Sequence, residues 1–172
     1  MLSLYPKYRF DSIMQITEDD LKQMGVLGVA VDLDNTTAFD HTDIPLDGAV
    51  EWIAQMKRAG FKVLLLSNAD KKRAQRLAKV LGDIDFVGLA CKPLLSAYIR
   101  ASSALRLRHH QIAMIGDQVF TDVYGANLAG MVSIYVKPFA MEERSVRSFK
   151  FRRGLEKKLF DRMDTKAAKK QK

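Results

Sequence analysis

The stretch VAVDLDNTTAFD, from Val29 to Asp40, decides the fold class of this 172-residue chain. It begins with apolar residues that do not alternate with polar ones, as is typical of a strand in a parallel sheet covered on both faces. At the end of that strand stand Asp32 and Asp34, with only Leu33 between them. Side chains two positions apart on an extended chain point to the same side, so the sequence predicts two neighbouring carboxylates at a strand end.

Further apolar segments alternate with segments of helical spacing along the rest of the chain. Residues 61–68 (FKVLLLSN), 85–92 (DFVGLACK), 111–117 (QIAMIGD) and 131–138 (MVSIYVKP) are predicted to contain strands. The intervening segments are predicted to be helices, one of them capped by Asp70. Strands that alternate with helices through short connections predict an α/β fold with a mostly parallel sheet and right-handed crossovers.

The chain is predicted to have three parts. Residues 1–25 form a lead-in segment with a short helix that Thr17 caps, residues 26–140 form the α/β core, and residues 141–172 form a basic, partly helical tail. The net charge is +8, and between Arg144 and Lys172 twelve Lys or Arg residues stand against three Asp or Glu. Such a tail suits a polyanion, either an anionic membrane surface or nucleic acid, although a solvated tail without a partner has the same composition.

Composition also bounds the setting of the protein. One cysteine, Cys91, excludes an internal disulfide bond and fits a reducing compartment. No apolar run approaches the roughly 20 residues that span a bilayer, and the first ten residues lack the apolar core of a signal peptide. These features predict a cytoplasmic protein. Cys91 itself is expected to be a small buried residue rather than a nucleophile.

Polar residues follow four of the predicted strands where each strand ends. Asp32 and Asp34 follow the first, Ser67 and Asn68 the second, Lys92 the third and Asp117 the fourth. In open α/β sheets the ligand crevice lies outside the carboxyl ends of the strands, so these side chains are expected to converge. The sequence therefore predicts one site at this edge of the sheet.

The residue types at these strand ends suit phosphate chemistry with a hard cation. Carboxylates of Asp32 and Asp117, with the backbone carbonyl of Asp34, could hold Mg²⁺, which prefers oxygen ligands and phosphate. Lys92 could offset the charge of a phosphoryl group, and Ser67 could hold its oxygens. Of the two neighbouring acids, one could attack phosphorus while the other moves a proton.

The segments DLDNT (32–36), SN (67–68), KP (92–93) and GDQVFTD (116–122) resemble, in this order, the motifs of the haloacid dehalogenase superfamily of aspartate-nucleophile phosphatases. DLDNT, GDQVFTDVYGAN (116–127) and the basic end also resemble the YqeG group of class IIIA phosphatases, whose relatives include phosphatases that act on phosphatidylglycerophosphate. The resemblance implies a three-layer Rossmann-like core and Mg²⁺ as cofactor. It also implies roles for the following residues: Asp32 as nucleophile and metal ligand, Asp34 as general acid/base and metal ligand, Asp117 as metal ligand, Ser67, Asn68 and Lys92 as phosphate-binding residues, and Thr36 and Asp122 as supporting residues.

The spacing between the motifs leaves no room for the cap domain that superfamily members use to select small substrates. About one βαβ crossover separates each motif from the next, so an open site is predicted, and it favours a bulky substrate such as a phosphorylated lipid head group. Two alternatives stay open: a phosphatase for a soluble nucleotide, sugar phosphate or nucleic-acid end, and a basic RNA-binding module on an inactive scaffold. In the favoured interpretation the tail adds a peripheral contact with anionic membrane.

Overall fold

The computed structural model describes residues 3–139, 154, 156 and 158–162. Its strands are β1 (Tyr8–Phe10), β2 (Gly28–Val31), β3 (Lys62–Leu66), β4 (Asp85–Val87), β5 (Ile112–Gly116) and β6 (Val132–Val136). They form one sheet in the order β1-β6-β5-β2-β3-β4, and every neighbouring pair is parallel. The predicted α/β fold with a parallel sheet is confirmed.

The helices of residues 3–139 are α1 (Glu18–Gln23), α2 (Ala49–Arg58), α3 (Lys71–Val80), α4 (Leu95–Leu105) and α5 (Tyr124–Ala129). The caps expected at α1 and α3 are both present. Thr17 and the third residue of α1 form a capping box, and the Asp70 carboxylate accepts the N–H of Arg73. Each cap satisfies helix N–H groups that have no partner within the helix.

The sheet has an apolar layer on each face, which gives the three-layer core. One face packs against a cluster that includes Trp52 and Ile53 of α2 and Leu77 of α3. The other face packs against Tyr98 of α4 and Ala126 of α5. Because both faces are covered, the central strands are continuously apolar, which is the pattern that made them recognisable in the sequence.

The edge strand β1 was not predicted, since residues 1–25 were interpreted only as a lead-in. Its three residues pair with β6 alone, and Lys7 N–H extends the pairing by donating to the Ser133 carbonyl at 3.0 Å. Two of the three residues are exposed. A short edge strand held by backbone hydrogen bonds has no apolar pattern from which to predict it.

Connections between the central strands are short. Only a loop at 32–48 and α2 separate β2 from β3, and α3 alone separates β3 from β4. Within residues 3–139 there is thus no cap domain, as predicted. The helices of the described residues include none with the length and hydropathy that crossing a membrane requires. Residues 141–172 form a second unit, whose described residues at 154, 156 and 158–162 are helical.

Candidate active site

The ends of three central strands bring the first carboxylate beside the other polar residues. Val31, the last residue of β2, is paired with Leu65 of β3 and with Ile115 of β5. The Asp32 N–H continues this ladder by donating to the Ile115 carbonyl at 2.9 Å. Asp32 is therefore fixed by backbone hydrogen bonds at the carboxyl edge, between the strand ends that lead to Ser67 and Asp117.

Three buried carboxylates and one lysine form the centre of the site. Asp32, Asp117 and Asp122 each offer an oxygen, and these oxygens lie within 4.8 Å of one another. The Lys92 ammonium donates to Asp32 Oδ1 at 2.6 Å and to Asp122 Oδ1 at 2.7 Å. One ammonium does not balance three ionised carboxylates, so this cluster favours a further cation.

Burial and charge act against each other in this cluster. Burial raises the pKa of Asp32 to about 7, although the ammonium of Lys92 opposes the rise. Burial alone would lower the pKa of Lys92, but Asp122 and Asp32 outweigh it and raise that pKa above its ordinary value. Lys92 thus stays charged, and it favours the ionised form of the carboxylates that it contacts.

Asp122 reaches the cluster through an irregular segment after β5. It lies in a single π-helical turn, Val119–Val123, and its Oδ2 accepts the Gln118 N–H at 3.0 Å. Gly116 makes room for it, because a Cβ there would overlap the Asp122 carboxylate. Such turns are rare and are often found at functional sites. Asp122 was predicted to be a support or an additional acidic contact, and the structure places its carboxylate in the cluster with Asp32 and Asp117.

Tyr98 supports the π-helical turn from the other side. Its hydroxyl donates to the Thr121 carbonyl at 2.6 Å, and burial raises the pKa of the phenol. Gly125 allows this approach, since a Cβ there would collide with the Tyr98 ring and hydroxyl. Tyr98 was not singled out in the sequence, where it stands among the apolar residues of a helix. Its position beside the π-helical turn depends on the packing of α4 against α5.

Asp34 lies apart from the cluster and pairs with Arg73 of α3. The guanidinium makes two hydrogen bonds to its carboxylate, at 2.7 Å and 3.0 Å, and a third to the Thr42 carbonyl at 2.7 Å. These bonds to Asp34 raise the pKa of Arg73. The His41 N–H also donates to Asp34, at 2.9 Å. Arg73 was not predicted from the sequence, where its only signal is a basic run, KKR, directly after a strand-end loop.

Ser67 and Asn68 serve different purposes. Ser67 is buried, and its hydroxyl accepts the Ala69 N–H at 3.0 Å, which leaves its hydrogen to be donated to a phosphate oxygen. The Asn68 amide instead holds the backbone of Lys92, donating to its carbonyl at 3.1 Å and accepting its N–H at 2.7 Å. Asn68 thereby positions the lysine, and its predicted contact with substrate stays a prediction.

Asn35, Thr36 and Thr37, which follow Asp34, are all buried. Thr37 is buried, and its hydroxyl donates to the Asp32 carbonyl at 2.9 Å. Thr36 Oγ1 and Asn35 Oδ1 are buried without a hydrogen-bond partner among the described residues. Buried polar atoms are nearly always satisfied, so these two are available to a bound group.

The prediction that Cys91 is buried is wrong. Cys91 is exposed, with a left-handed φ of 61°, because it lies in the β4–α4 loop rather than within a strand.

Comparison with known proteins agrees with this site. A family model for haloacid dehalogenase-like hydrolases matches residues 6–130. The chain belongs to the haloacid dehalogenase-like hydrolase family. It is 33% identical over 155 residues to "Probable phosphatase YqeG" of Bacillus subtilis, covering 90% of this chain and 88% of that protein.

Solved structures share the fold of this hydrolase. An uncharacterized protein from Listeria monocytogenes serotype 4b superposes with a TM-score of 0.55 at 21% identity, covering 70% of this chain and 85% of that one. The magnesium-bound HAD-hydrolase YfnB of Bacillus subtilis gives a TM-score of 0.50 at 17% identity. That match covers 62% of this chain and 49% of YfnB. At these identities the comparison supports the architecture alone.

Mg²⁺ fits the residues present in this hydrolase. Its preferred ligands are oxygens, and Asp32, Asp117 and Asp122 supply three buried carboxylates within reach of one ion. The set contains no sulfur or nitrogen ligand, which would favour a softer metal. Of this set, Asp32 and Asp117 are the side chains predicted as ligands, and Asp122 is the addition from the structure.

Proposed function

We propose that this hydrolase is an Mg²⁺-dependent phosphomonoesterase that acts on phosphatidylglycerophosphate. The observation that carries the proposal is the ammonium of Lys92, which lies between the carboxylates of Asp32 and Asp122 at the end of the central strands. A carboxylate fixed beside a cation, in a buried site rich in acids, suits attack on a phosphate ester.

In the first step, an Asp32 carboxylate oxygen attacks phosphorus, and the bond from phosphorus to the ester oxygen breaks. Asp34 in its protonated form gives its proton to that leaving oxygen, so the alcohol departs neutral. Lys92 and the Ser67 hydroxyl donate to the phosphoryl oxygens, whose negative charge they stabilise. The ion, when bound, neutralises charge on the phosphoryl group as it is transferred.

In the second step, water attacks the aspartyl-phosphate while Asp34 removes its proton. The bond from phosphorus to the Asp32 oxygen breaks, which restores the carboxylate and releases inorganic phosphate. Both Asp34 oxygens accept hydrogen bonds from Arg73. The acid/base role therefore requires the guanidinium to give up one of these bonds while it continues to orient the carboxylate.

Three observations support a lipid as the substrate. The chain resembles the YqeG group along most of its length. No cap encloses the site within residues 3–139, so a phosphate on a bulky molecule has access. The segment from Arg144 to Lys172 is strongly basic, with twelve Lys or Arg residues against three Asp or Glu. An anionic lipid surface suits this charge.

The test is phosphate release from phosphatidylglycerophosphate in mixed micelles, with and without Mg²⁺, next to an aryl phosphate as reference. We compare the wild type with Asp32→Asn, which keeps the shape and removes the nucleophile. Asp83→Asn serves as the matched control, because Asp83 is exposed in a loop that precedes β4.

Each outcome decides between the candidates. We expect metal-dependent turnover of the lipid far above that of the aryl phosphate, abolished by Asp32→Asn and kept by Asp83→Asn. Turnover of the aryl phosphate alone would retain the mechanism and assign a soluble phosphate as substrate. If neither substrate is hydrolysed and the Asp32→Asn variant still binds RNA, the protein is an RNA-binding module rather than a phosphatase.

A further inference from the structure

Four exposed aliphatic side chains lie within seven residues of Lys92 in the sequence. We define them as the apolar lip: Leu89, Leu94, Leu95 and Ile99, which are 57%, 61%, 42% and 47% exposed. They occupy the β4–α4 loop and the outer face of the first turns of α4. A cluster of large aliphatic groups open to solvent marks a binding surface more often than scattered single residues do.

Hydrogen bonds hold the loop part of the apolar lip against α3 and α4. Leu89 N–H donates to the Ala69 carbonyl at 2.8 Å, which ties the loop to the start of α3. The Arg100 guanidinium donates to the carbonyls of Leu89 and Ala90, at 3.0 Å and 2.9 Å, which ties the same loop to α4. Leu89 also has a left-handed φ of 45°, a conformation that is uncommon for a leucine and that these bonds maintain.

The surroundings of the apolar lip are basic. Lys71 and Lys72 are exposed at the start of α3, and the Lys71 backbone packs directly over Gly88. From Phe86 to Gly116 the sequence contains no Asp or Glu, although the chain has 20 in all. The acid that precedes the two lysines, Asp70, is used as the cap of α3. Aliphatic groups flanked by cations match the chemistry of an anionic lipid surface.

The composition of the apolar lip favours a bilayer over a protein partner. Energetically important residues of protein interfaces are enriched in Trp, Tyr and Arg, whereas Leu is under-represented among them. The lip has only Leu and Ile, which enter the hydrocarbon region of a bilayer favourably. Lys92 follows Leu89 by three residues and directs its ammonium to the carboxylate cluster. The apolar lip and Lys92 thus belong to one short segment of the chain, residues 89–99.

We propose that the apolar lip inserts into the surface of an anionic bilayer and places the open active site against the lipid head groups. This inference rests on the proposed function, in which the phosphate to be removed is on a lipid. It assigns the docking role to a surface of the core, in addition to the basic tail predicted from the sequence.

The test is co-sedimentation with vesicles of phosphatidylcholine alone or with phosphatidylglycerol added. The lip variant combines Leu94→Ser, Leu95→Gln and Ile99→Gln. Leu94 is the N-cap of α4 and has no side-chain capping bond, so serine there also supports the helix. The control variant changes three exposed aliphatic residues outside the lip: Leu27→Gln, Val80→Gln and Leu128→Gln.

We expect the wild type and the control variant to bind phosphatidylglycerol vesicles. The lip variant should bind these vesicles with an affinity at least about tenfold lower, because three apolar side chains no longer insert. Turnover of phosphatidylglycerophosphate in vesicles should fall with binding, while hydrolysis of the aryl phosphate stays unchanged.

Three results would overturn the docking role and leave the phosphatase intact. The first is a lip variant that binds vesicles like the wild type, which would assign docking to the basic tail. The second is a wild type that hydrolyses the aryl phosphate but binds no vesicles. The third is a lip variant whose only change is from dimer to monomer in size-exclusion chromatography. Lip-dependent vesicle binding without any phosphatase activity would instead refute the proposed function and retain the docking surface.

Discussion

Replacing Lys92 by methionine tests whether the carboxylate cluster depends on this one ammonium. The lysine lies 2.6 Å from Asp32 Oδ1 and 2.7 Å from Asp122 Oδ1, and its side chain is 2% exposed. Methionine has a similar length and no charge, so two buried carboxylates lose their cation while the packing volume is nearly kept. Removing one partner of a buried ion pair costs about 3–5 kcal/mol. That cost is a large part of the roughly 5–15 kcal/mol that stabilises a domain.

The assay is urea unfolding followed by the fluorescence of Trp52. This is the single tryptophan, it is buried, and its indole N–H donates to the Ile16 carbonyl at 2.7 Å in the core. Lys57→Met is the control, because Lys57 is exposed. Its ammonium donates a hydrogen bond to the Gly82 carbonyl at 2.7 Å. We expect the control to lose about 1 kcal/mol or less.

Added Mg²⁺ provides a second measurement on the same variant. If the carboxylates are ionised, the ion should stabilise Lys92→Met more than it stabilises the wild type, because it replaces the missing positive charge. A Lys92→Met protein that unfolds at the same urea concentration as Lys57→Met, with no larger response to Mg²⁺, would refute the charge balance described for this cluster.

Three further variants test the residues that position the site. Arg73→Gln should lower kcat about tenfold or more with little change in KM in steady-state assays, because Asp34 loses its orientation. A rise in kcat would instead mean that the guanidinium restrains Asp34. Gly116→Ala should cost about 1–3 kcal/mol in thermal unfolding and abolish activity, because the new methyl group displaces Asp122. Tyr98→Phe should cost about 1–2 kcal/mol through the lost bond to the π-helical turn, and unchanged stability with normal kcat would show that the hydroxyl does not hold this turn.

Much of the site could be predicted from the sequence because its residues follow apolar strands. Asp32, Ser67 and Asp117 each directly follow a central strand, and parallel strands place their carboxyl ends on one edge. Lys92 lies in the loop after β4, because that strand ends at Val87 rather than extending to the lysine as predicted. Arg73 and Tyr98 could not be found in this way. Both lie on amphipathic helices, and their contacts with Asp34 and with the π-helical turn depend on how those helices pack.

The sequence by itself determined the parallel sheet, the alternation of strands and helices along the chain and the edge at which the polar residues gather, because strand and helix periodicity and caps are local properties. Only the tertiary structure decided how the acids are shared. Lys92 forms ion pairs with both Asp32 and Asp122, whereas Asp34 pairs with Arg73. The edge strand β1 and the solvent exposure of Cys91 and of the apolar lip were likewise found only in the tertiary structure. These features arise from contacts between residues far apart in the chain. The packing of distant segments, rather than the local sequence, determines which partner each side chain contacts.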